Sequence, residues 1–347
     1  MNRILWPLAA GFRLGVALRQ LAYRRGWFKT RRLGCPVVSV GNLTVGGTGK
    51  TPCVAWIAQR LLKGGWKPGI LTRGYGRRSG AELVALAPGS QRAVDARLIG
   101  DEPAVLARKL PGVPIVVCAD RYRGGRLTED GFGVDVHVLD DGFQHLALAR
   151  NIDVVLLDVT QDFSMDALLP AGRLREPYSA LKRAHLVVLT RVDLGDPAPL
   201  EQLVGKINPQ AKVFRSTMRL AKLVDIASGS ELSTESVRGK VITAFCGIGN
   251  PKAFFADLRK WGFLLGAETA FPDHHVYSAA ELEGLARRAR QEAAGAMFTT
   301  EKDALNLPPR WESEIPVCAC AIEIEMSEAE VFEEALLGRL QSARITV

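Results

Sequence analysis

The chain has 347 residues, of which 47% are hydrophobic and 24% are charged. This composition is ordinary for a folded soluble protein, no low-complexity tract is visible, and the length predicts two domains at roughly 100–200 residues each. The net charge of +8 is unevenly distributed. Residues 1–81 contain 15 Lys and Arg and no Asp or Glu, so the rest of the chain carries −7. Such a basic segment attracts polyanions: anionic lipid, nucleic acid or a phosphorylated substrate.

Residues 1–33 are both apolar and basic, and they narrow that choice. The apolar run is too short and too charged to span a bilayer, which takes about 20 largely apolar residues. A signal peptide is disfavoured because no small-residue cleavage site follows. We predict an interfacial helix with arginines at the headgroups and these side chains in the lipid: Trp6, Phe12, Leu14 and Leu18. The alternative is a basic helix packed on the protein, because Arg13 and Arg19 do not share a helical face.

The six cysteines indicate a reducing compartment. None of them forms a C-x-x-C pair, so the spacing does not support a zinc or redox centre. Most lie in apolar, strand-like runs, where buried free thiols are common.

Short runs rich in Val, Ile and Leu recur in the first part of the chain, with helical patterns between them. They are residues 36–40, 68–72, 114–118, 134–139, 153–157 and 185–190. Near-continuous apolar strands are typical of a sheet covered on both faces, so the pattern predicts a doubly wound, mostly parallel α/β fold.

A second set of elements begins near residue 238. Strands are expected at 240–245, 296–300 and 317–322, with helices at 252–261 and 327–342. We therefore predict three parts: an amino-terminal helix at 1–33, a core domain at 34–220 and a smaller α/β domain at 221–347. The boundary is placed in the mixed-polarity stretch 205–238.

Residues 44–51, TVGGTGKT, nearly match the phosphate-loop pattern G-x-x-x-x-G-K-[ST], with Thr44 at the first glycine. A predicted strand precedes them and a predicted helix follows, which is the context that a phosphate loop needs. The expected nucleotide contacts are Thr44, Val45, Gly46, Gly47, Thr48, Gly49, Lys50 and Thr51. Lys50 would reach the β- and γ-phosphates, and the Thr51 hydroxyl would bind Mg²⁺. The alternative is a structural glycine turn.

A phosphate loop also needs a carboxylate at the end of a nearby strand. The strand at 134–139 is followed by Asp140 and Asp141. Charges beside a buried sheet are costly unless they have a use, so a metal site is favoured over a solvated turn.

Further polar clusters could supply a base and an anion clamp for transfer to an alcohol. Asp101 and Glu102 follow Gly100 at a predicted helix start, where they could instead be a helix cap. His274 and His275 follow Pro-Asp in a predicted loop. Arg121 and the arginines of 172–177 could bind phosphate or be surface charges. At this point a kinase, a GTPase switch and a metal-delivery ATPase all remain open.

These segments, in this order, resemble the tetraacyldisaccharide 4′-kinases, the lipid A kinases of Gram-negative bacteria. The matching residues are 40–52 (VGNLTVGGTGKTP), 72–77 (TRGYGR), 100–103 (GDEP), 139–145 (LDDGFQH), 170–177 (PAGRLREP), 271–275 (FPDHH) and 299–303 (TTEKD). The resemblance covers residues 1 to about 340, and Thr44 is an ordinary occupant of the first loop position in this family. It implies a phosphate-loop fold with a second, smaller α/β domain and a membrane-contacting helix.

The resemblance also implies a reaction, in which ATP with Mg²⁺ phosphorylates the 4′-hydroxyl of a tetraacylated glucosamine disaccharide 1-phosphate. It makes Asp101 the residue that activates the hydroxyl, with His274, rather than His275, supporting it. The expected metal-side residues are Thr51, Asp140, Asp141 and Glu102. Further nucleotide or substrate contacts are expected at Asn42, Gln144, Tyr75, Arg121 and Arg173.

The resemblance further implies a location at the cytoplasmic face of the bacterial inner membrane, as a peripheral protein on anionic lipid. The main alternative is a membrane-associated phosphate-loop ATPase that switches partners. A nucleic-acid partner is not expected, because no pattern of base-stacking aromatics accompanies the basic start. Residues 190–193 (TRVD) only weakly resemble a base-reading tetrapeptide. The oligomeric state is left open.

Overall fold

A computed structural model describes residues 5–75, 77, 80–89, 95–161, 163, 167–309 and 311–345. The strands are β1 (Val37–Asn42), β2 (Pro68–Thr72), β3 (Leu83–Leu86), β4 (Ile115–Cys118), β5 (Val136–Asp140), β6 (Ile152–Asp158), β7 (Leu186–Thr190), β8 (Lys212–Asp225), β9 (Glu231–Leu232), β10 (Val241–Cys246), β11 (Leu264–Ala270), β12 (Ala296–Thr300) and β13 (Val317–Met326). The α-helices are α1 (Trp6–Arg24), α2 (Lys50–Lys63), α3 (Ala96–Ile99), α4 (Asp101–Lys109), α5 (Arg121–Phe132), α6 (Ala198–Ile207), α7 (Pro251–Lys260), α8 (Ala279–Gln291), α9 (Glu301–Ala304) and α10 (Ala329–Ile345). Two 3₁₀ helices span Tyr178–Arg183 and Thr234–Val237.

The strands form one sheet in the order β11-β10-β12-β13-β8-β7-β6-β1-β5-β2-β4-β3, and β9 pairs with β8. Most neighbours are parallel. The antiparallel pairs are β13 with β8, β3 with β4 and β8 with β9. β1 lies between β5 and β6, so the loop that follows β1 emerges at the carboxyl edge of the parallel strands. Ligand sites in open α/β sheets lie at this edge.

The apolar runs are buried as their composition predicts. Every residue of β1, β2, β4, β5, β6 and β7 is buried. Burial of these Val, Ile and Leu side chains is the main source of stability, at about 25 cal/mol per Å² of apolar surface. The predicted α/β, mostly parallel fold is confirmed.

The stretch expected to hold the domain boundary contains the 14-residue strand β8. β8 is parallel to β7 through its first part and antiparallel to β13 through its second, so one strand joins both parts of the sheet. The position 220/221 lies inside β8, and the division into two domains stays a prediction. The alternation of buried Phe214, Ser216 and Met218 with more exposed neighbours is the signal that could have revealed this strand.

The amino-terminal helix α1 leaves its large apolar side chains in solvent. Their exposed fractions are 51% for Trp6, 37% for Phe12, 60% for Leu14 and 55% for Leu18. Its other face is attached to the protein: Arg19 donates to the Gln144 carbonyl at 2.9 Å, and Gln20 donates to Glu176 Oε1 at 2.9 Å. In the part of the chain that the structure describes, no helix combines the length and hydropathy needed to cross a bilayer.

Candidate active site

The phosphate loop forms between β1 and α2. Gly49, immediately before α2, has φ +85°, a left-handed conformation that glycine adopts without strain. Gly46 has φ +117°, and its carbonyl accepts from the Thr48 amide at 3.1 Å. The turn therefore presents backbone N–H groups at a helix amino terminus, which is a favourable site for phosphate.

Buried side chains hold the loop in place. Asn42 Nδ2 donates to Thr48 Oγ1 at 3.0 Å, and Lys50 Nζ lies 3.5 Å from Asn42 Oδ1. Thr44 Oγ1 donates to Gln161 Oε1 at 3.1 Å. The hydroxyl at the unusual first position is thus part of the support of the loop.

Asp140 and Asp141 meet Lys50 where β5 ends beside β1. Lys50 Nζ lies 3.6 Å from Asp141 Oδ1, and Arg175 NH1 donates to Asp141 Oδ2 at 2.7 Å. Burial raises the pKa of Asp141, but the charges of Lys50 and Arg175 outweigh burial, so its pKa is lowered overall. Asp141 therefore keeps its negative charge next to the cationic end of Lys50.

Asp140 has the opposite behaviour. Burial, with the nearby charges of Glu102 and Asp141, raises the pKa of Asp140 to about 7. Its Oδ2 accepts from Thr72 Oγ1 at 3.1 Å, whereas its buried Oδ1 has no hydrogen-bond partner among the described residues. A cluster of carboxylate oxygens with an unpaired buried oxygen fits Mg²⁺, which prefers oxygen ligands.

The loop and the two aspartates face a cavity of about 690 Å³. The predicted residues that line it are Val45, Gly46, Gly47, Thr48, Gly49, Lys50, Thr51, Tyr75, Glu102, Arg121, Asp140, Asp141, Gln144 and His274. The carboxyl-terminal part of the sheet also contributes, because residues 248–249, after β10, and 300–302, at the end of β12, line the cavity too. A volume of this size is typical of a small-molecule site.

Asp101 and His274 come together at one side of this cavity. His274 Nδ1 lies 2.9 Å from Asp101 Oδ2, and Lys302 Nζ lies 3.7 Å from the same oxygen. His274 and Lys302 line the cavity, and Asp101, which is only 6% exposed, contacts both.

The electrostatics of this cluster favour an ion pair. The hydrogen bond that His274 donates to Asp101 raises the pKa of His274. Burial raises the pKa of Asp101, but the hydrogen bond to His274 and the charge of Lys302 are stronger together, and the pKa is lowered. Asp101 is therefore ionised at neutral pH and can accept a proton or a hydrogen bond.

His275 points elsewhere. Its Nε2 lies 3.1 Å from Glu281 Oε1, and its ring stacks on Phe271 with centroids 4.6 Å apart. His274 is held towards Asp101 by a left-handed backbone with φ +62° and by its amide, which donates to the Gly247 carbonyl at 3.1 Å.

The remaining predicted contacts occupy different positions. The Tyr75 ring lies 5.2 Å from the His274 ring, and Gln144 Nε2 donates to the Asn42 carbonyl at 2.9 Å. Arg121 is buried, and its Nε has no hydrogen-bond partner among the described residues. Arg173 contacts the phosphate loop through its carbonyl, which accepts from the Val45 amide at 2.8 Å. Arg175 is the arginine of that segment that lines the cavity.

Lys302 lies in the motif at 299–303, but the sequence pattern predicted no role for it, and Arg175 was expected only as one of the possible phosphate-binding arginines of 172–177. The sequence pattern also missed the contacts of Arg191, in the TRVD segment. Arg191 NH1 donates to Asp158 Oδ2 at 2.7 Å and to the Gly47 carbonyl at 3.3 Å, and its Nε donates to Asp257 Oδ2 at 3.3 Å. This buried arginine ties the phosphate loop to β6 and α7, so its interactions are those of a loop support.

Comparison with known proteins agrees with this geometry. The family model "Tetraacyldisaccharide-1-P 4'-kinase" matches residues 1–341. A tetraacyldisaccharide 4′-kinase of Syntrophus aciditrophicus is 36% identical over 95% of this chain and 91% of its own length. The corresponding protein of Geobacter metallireducens is 38% identical over 96% of both chains.

Among solved structures, LpxK of Aquifex aeolicus in complex with ATP is similar, with a TM-score of 0.76. The sequences are 29% identical, and the match covers 97% of this chain and 98% of that one. Fold alone does not establish function, but here sequence, fold and site geometry agree over nearly the whole chain. This chain belongs to the tetraacyldisaccharide-1-P 4′-kinase family.

Proposed function

We propose that this protein transfers the γ-phosphoryl group of ATP to the 4′-hydroxyl of a tetraacyldisaccharide 1-phosphate, with Asp101 activating the hydroxyl. As a member of its family it is a kinase that uses ATP with Mg²⁺. The observation that carries the assignment of Asp101 is its 2.9 Å contact with His274 beside the cavity that the phosphate loop lines.

One group of residues binds the phosphates and the metal ion, and a second group binds and deprotonates the acceptor. The loop amides and Lys50 bind the phosphates, and Asp141 orients Lys50 through the 3.6 Å contact. The metal site is formed by Thr51, Asp140, Asp141 and Glu102, and bound Mg²⁺ would neutralise phosphate charge. Tyr75, Arg121 and Arg173 are proposed for the acceptor, with Asn42 and Gln144 supporting the nucleotide side.

His274 supports the base rather than replacing it. Asp101 takes the hydroxyl proton as the oxygen attacks phosphorus, and the ring of His274 holds the carboxylate in position. The hydrogen bond with His274 and the charge of Lys302 together lower the pKa of Asp101 and keep it ionised. His274 and Lys302 follow strands of the carboxyl-terminal part of the sheet, whereas Asp101 belongs to the amino-terminal part. The base is therefore assembled only when both parts pack around the cavity.

The reaction is tested with purified protein, γ-labelled ATP, Mg²⁺ and detergent-dispersed tetraacyldisaccharide 1-phosphate. Label is expected in the extracted lipid, and it should remain there after mild acid has removed the glycosidic 1-phosphate. ATP turnover without labelled lipid would instead support the partner-switching ATPase.

We also propose that α1 docks the protein on the cytoplasmic face of the inner membrane. The exposed apolar side chains of α1 and the basic residues around them suit an interface with anionic lipid. Such docking would bring the cavity close to an acylated acceptor.

Docking is tested by co-sedimentation with vesicles that contain phosphatidylglycerol. Leu18→Glu is expected to reduce the bound fraction. Leu264→Glu is the matched control, because Leu264 on β11 is 56% exposed and Leu18 is 55% exposed. Equal binding of both variants would contradict a docking role for α1.

A further inference from the structure

Three side chains of different chemistry meet away from the cavity, beneath the start of β1. They are Cys35, which precedes β1, Glu129 of α5 and His137 of β5, and their candidate ligand atoms all lie within 4.8 Å of one another. The pairing of β1 with β5 brings Cys35 close to His137. Val37 is the register partner of His137, and the His137 amide donates to the Pro36 carbonyl at 2.9 Å.

The cluster is largely shielded from solvent. The His137 side chain is fully buried, that of Glu129 is 9% exposed, and Cys35 is half-buried. The Cys35 amide donates to Glu129 Oε1 at 2.7 Å, and Arg126 NH1 donates to Glu129 Oε2 at 2.8 Å. Both contacts fix the carboxylate, with Oε1 directed at the histidine.

The hydrogen bonds around His137 leave a neutral ring unsatisfied. Thr128 donates its one hydroxyl hydrogen to the Gly125 carbonyl at 2.7 Å, so its oxygen can only accept from His137 Nδ1, 3.4 Å away. His137 Nε2 lies 3.2 Å from Glu129 Oε1, another acceptor. A neutral ring has one N–H, so one of its nitrogens always faces an acceptor with a lone pair. A cation at Nε2, either a proton or a metal ion, removes this conflict.

We propose that Cys35, Glu129 and His137 form a zinc-binding site. Thiolate, imidazole and carboxylate together suit Zn²⁺, whereas Mg²⁺ and Ca²⁺ prefer oxygen ligands alone. Three protein ligands and a water complete a tetrahedron, and the half-buried Cys35 leaves a solvent side for that water. The Thr128 hydroxyl would accept from Nδ1–H and fix the ring, as outer-shell partners of zinc ligands do.

The geometry requires only a small adjustment. Zinc bonds of about 2.0–2.3 Å place tetrahedral ligands roughly 3.3–3.8 Å apart. The cluster, with atoms up to 4.8 Å apart, therefore needs to close by about 1 Å. Cys35 Sγ, which now donates to the Val134 carbonyl at 3.3 Å, would turn towards the ion.

Binding releases protons and involves no redox change. The Cys35 thiol loses its proton as the Zn–S bond forms, and any proton on His137 Nε2 is displaced as well, both passing to the buffer. The ion would tie the segment before β1 to α5 and β5. Because β1 leads into the phosphate loop, zinc binding is expected to raise the melting temperature of the whole protein.

The test uses the full chain after dialysis against a chelator. Calorimetric titration with Zn²⁺ should show one equivalent that Cys35→Ser weakens by at least about 10-fold, the lower limit for loss of even an outer-shell partner. Co²⁺ should give a thiolate-to-metal charge-transfer band in the wild type and none in Cys35→Ser. The band excludes zinc held only at the phosphate loop, which has no thiolate among its predicted ligands.

Cys318→Ser is the matched control, because Cys318 is a buried thiol on β13 outside the cluster. It should keep both the zinc equivalent and the cobalt band. Circular dichroism and thermal melts verify that each variant is folded. If the wild type gives no cobalt–thiolate band, or if Cys35→Ser gives the same band, the proposal is wrong.

Discussion

His274 Nδ1 lies 2.9 Å from Asp101 Oδ2, although 173 positions separate the two residues in the chain. Asp101 begins α4, immediately after Gly100, whose φ of +98° turns the chain into the helix. His274 occupies the loop after β11. The contact therefore joins the two parts of the sheet at the cavity, and several consequences can be measured.

Asp101→Ala is expected to lower kcat by about 10²–10⁴-fold, the usual contribution of a general base. The KM for ATP should change little, because the loop that binds phosphate is separate. Steady-state kinetics with the lipid acceptor provide the measurement, and Glu283→Gln, on the exposed face of α8, is the control. An Asp101→Ala enzyme within a few-fold of the wild type would remove Asp101 from this role.

Because His274 and Asp101 form an ion pair, we expect His274→Gln to destabilise the protein by an amount that depends on pH. Because the pKa of His274 is raised, protonated His274 stabilises the folded protein. This contribution is complete below the ordinary histidine pKa near 6.5 and is lost as pH rises through the raised pKa. Because the pKa of Asp101 is lowered, its share is present above about 3.9 and is lost as pH falls through the lowered value. Both are present between about pH 4 and 6.5.

Thermal melts of wild type and His274→Gln should therefore differ more at about pH 5.5 than at about pH 9.5. Lys302 still neutralises Asp101 at high pH, so the loss of the pair should not unfold the protein there. A melting-temperature difference that stays constant or grows with pH would contradict the ion pair.

Asp140 predicts a coupling between Mg²⁺ and pH. Its pKa is raised to about 7, so keeping it ionised reduces the stability of the metal-free protein progressively above its ordinary value near 3.9. Asp140→Asn should therefore stabilise the metal-free protein at about pH 8. The wild type should gain more melting temperature from Mg²⁺ at about pH 8 than at about pH 6, and Asp140→Asn should lose this difference.

Asp196→Asn is the control for this experiment, since Asp196 is an exposed residue whose carboxylate accepts from the Ala198 amide at the start of α6. It should respond to Mg²⁺ as the wild type does. An Mg²⁺ response of Asp140→Asn that is unchanged in size and pH dependence would exclude Asp140 from the metal site.

The segment at Gly249 packs directly against the phosphate loop. We predict that a methyl side chain at position 249 would clash with that loop. A Cβ on Gly249 would lie 2.6 Å from Gly46 Cα and 2.7 Å from the Gly47 nitrogen, and both contacts are with backbone. Overpacking of this kind costs about 1–3 kcal/mol. If the cost falls on the ATP-binding conformation, Gly249→Ala raises the KM for ATP about 5- to 150-fold.

Gly284→Ala gives the comparison, because a Cβ on Gly284 in α8 meets nothing within 4 Å. That variant should gain about 0.5–1 kcal/mol in unfolding free energy and keep its KM for ATP. A Gly249→Ala enzyme with unchanged KM and stability would show that the covering segment can move away from the loop.

Local patterns in the sequence predicted much of the fold. The sequence runs that form β1, β2, β4, β5, β6 and β7 are rich in Val, Ile and Leu, and that pattern is typical of strands buried on both faces. The sequence of β8 resembles a linker because its buried side chains alternate with exposed and half-buried ones, which gives it mixed polarity.

The sequence by itself determined the phosphate loop between a strand and a helix, the carboxylates at the end of β5 and the family. These features are local, since glycine spacing and apolar periodicity act over a few neighbouring residues. The family resemblance had already paired His274 with Asp101. Only the tertiary structure decided that Lys302 joins this pair, that Arg191 supports the loop and that Cys35 lies beside Glu129 and His137. Those contacts depend on strand order and on how the chain packs over long sequence separations, which no local spacing encodes.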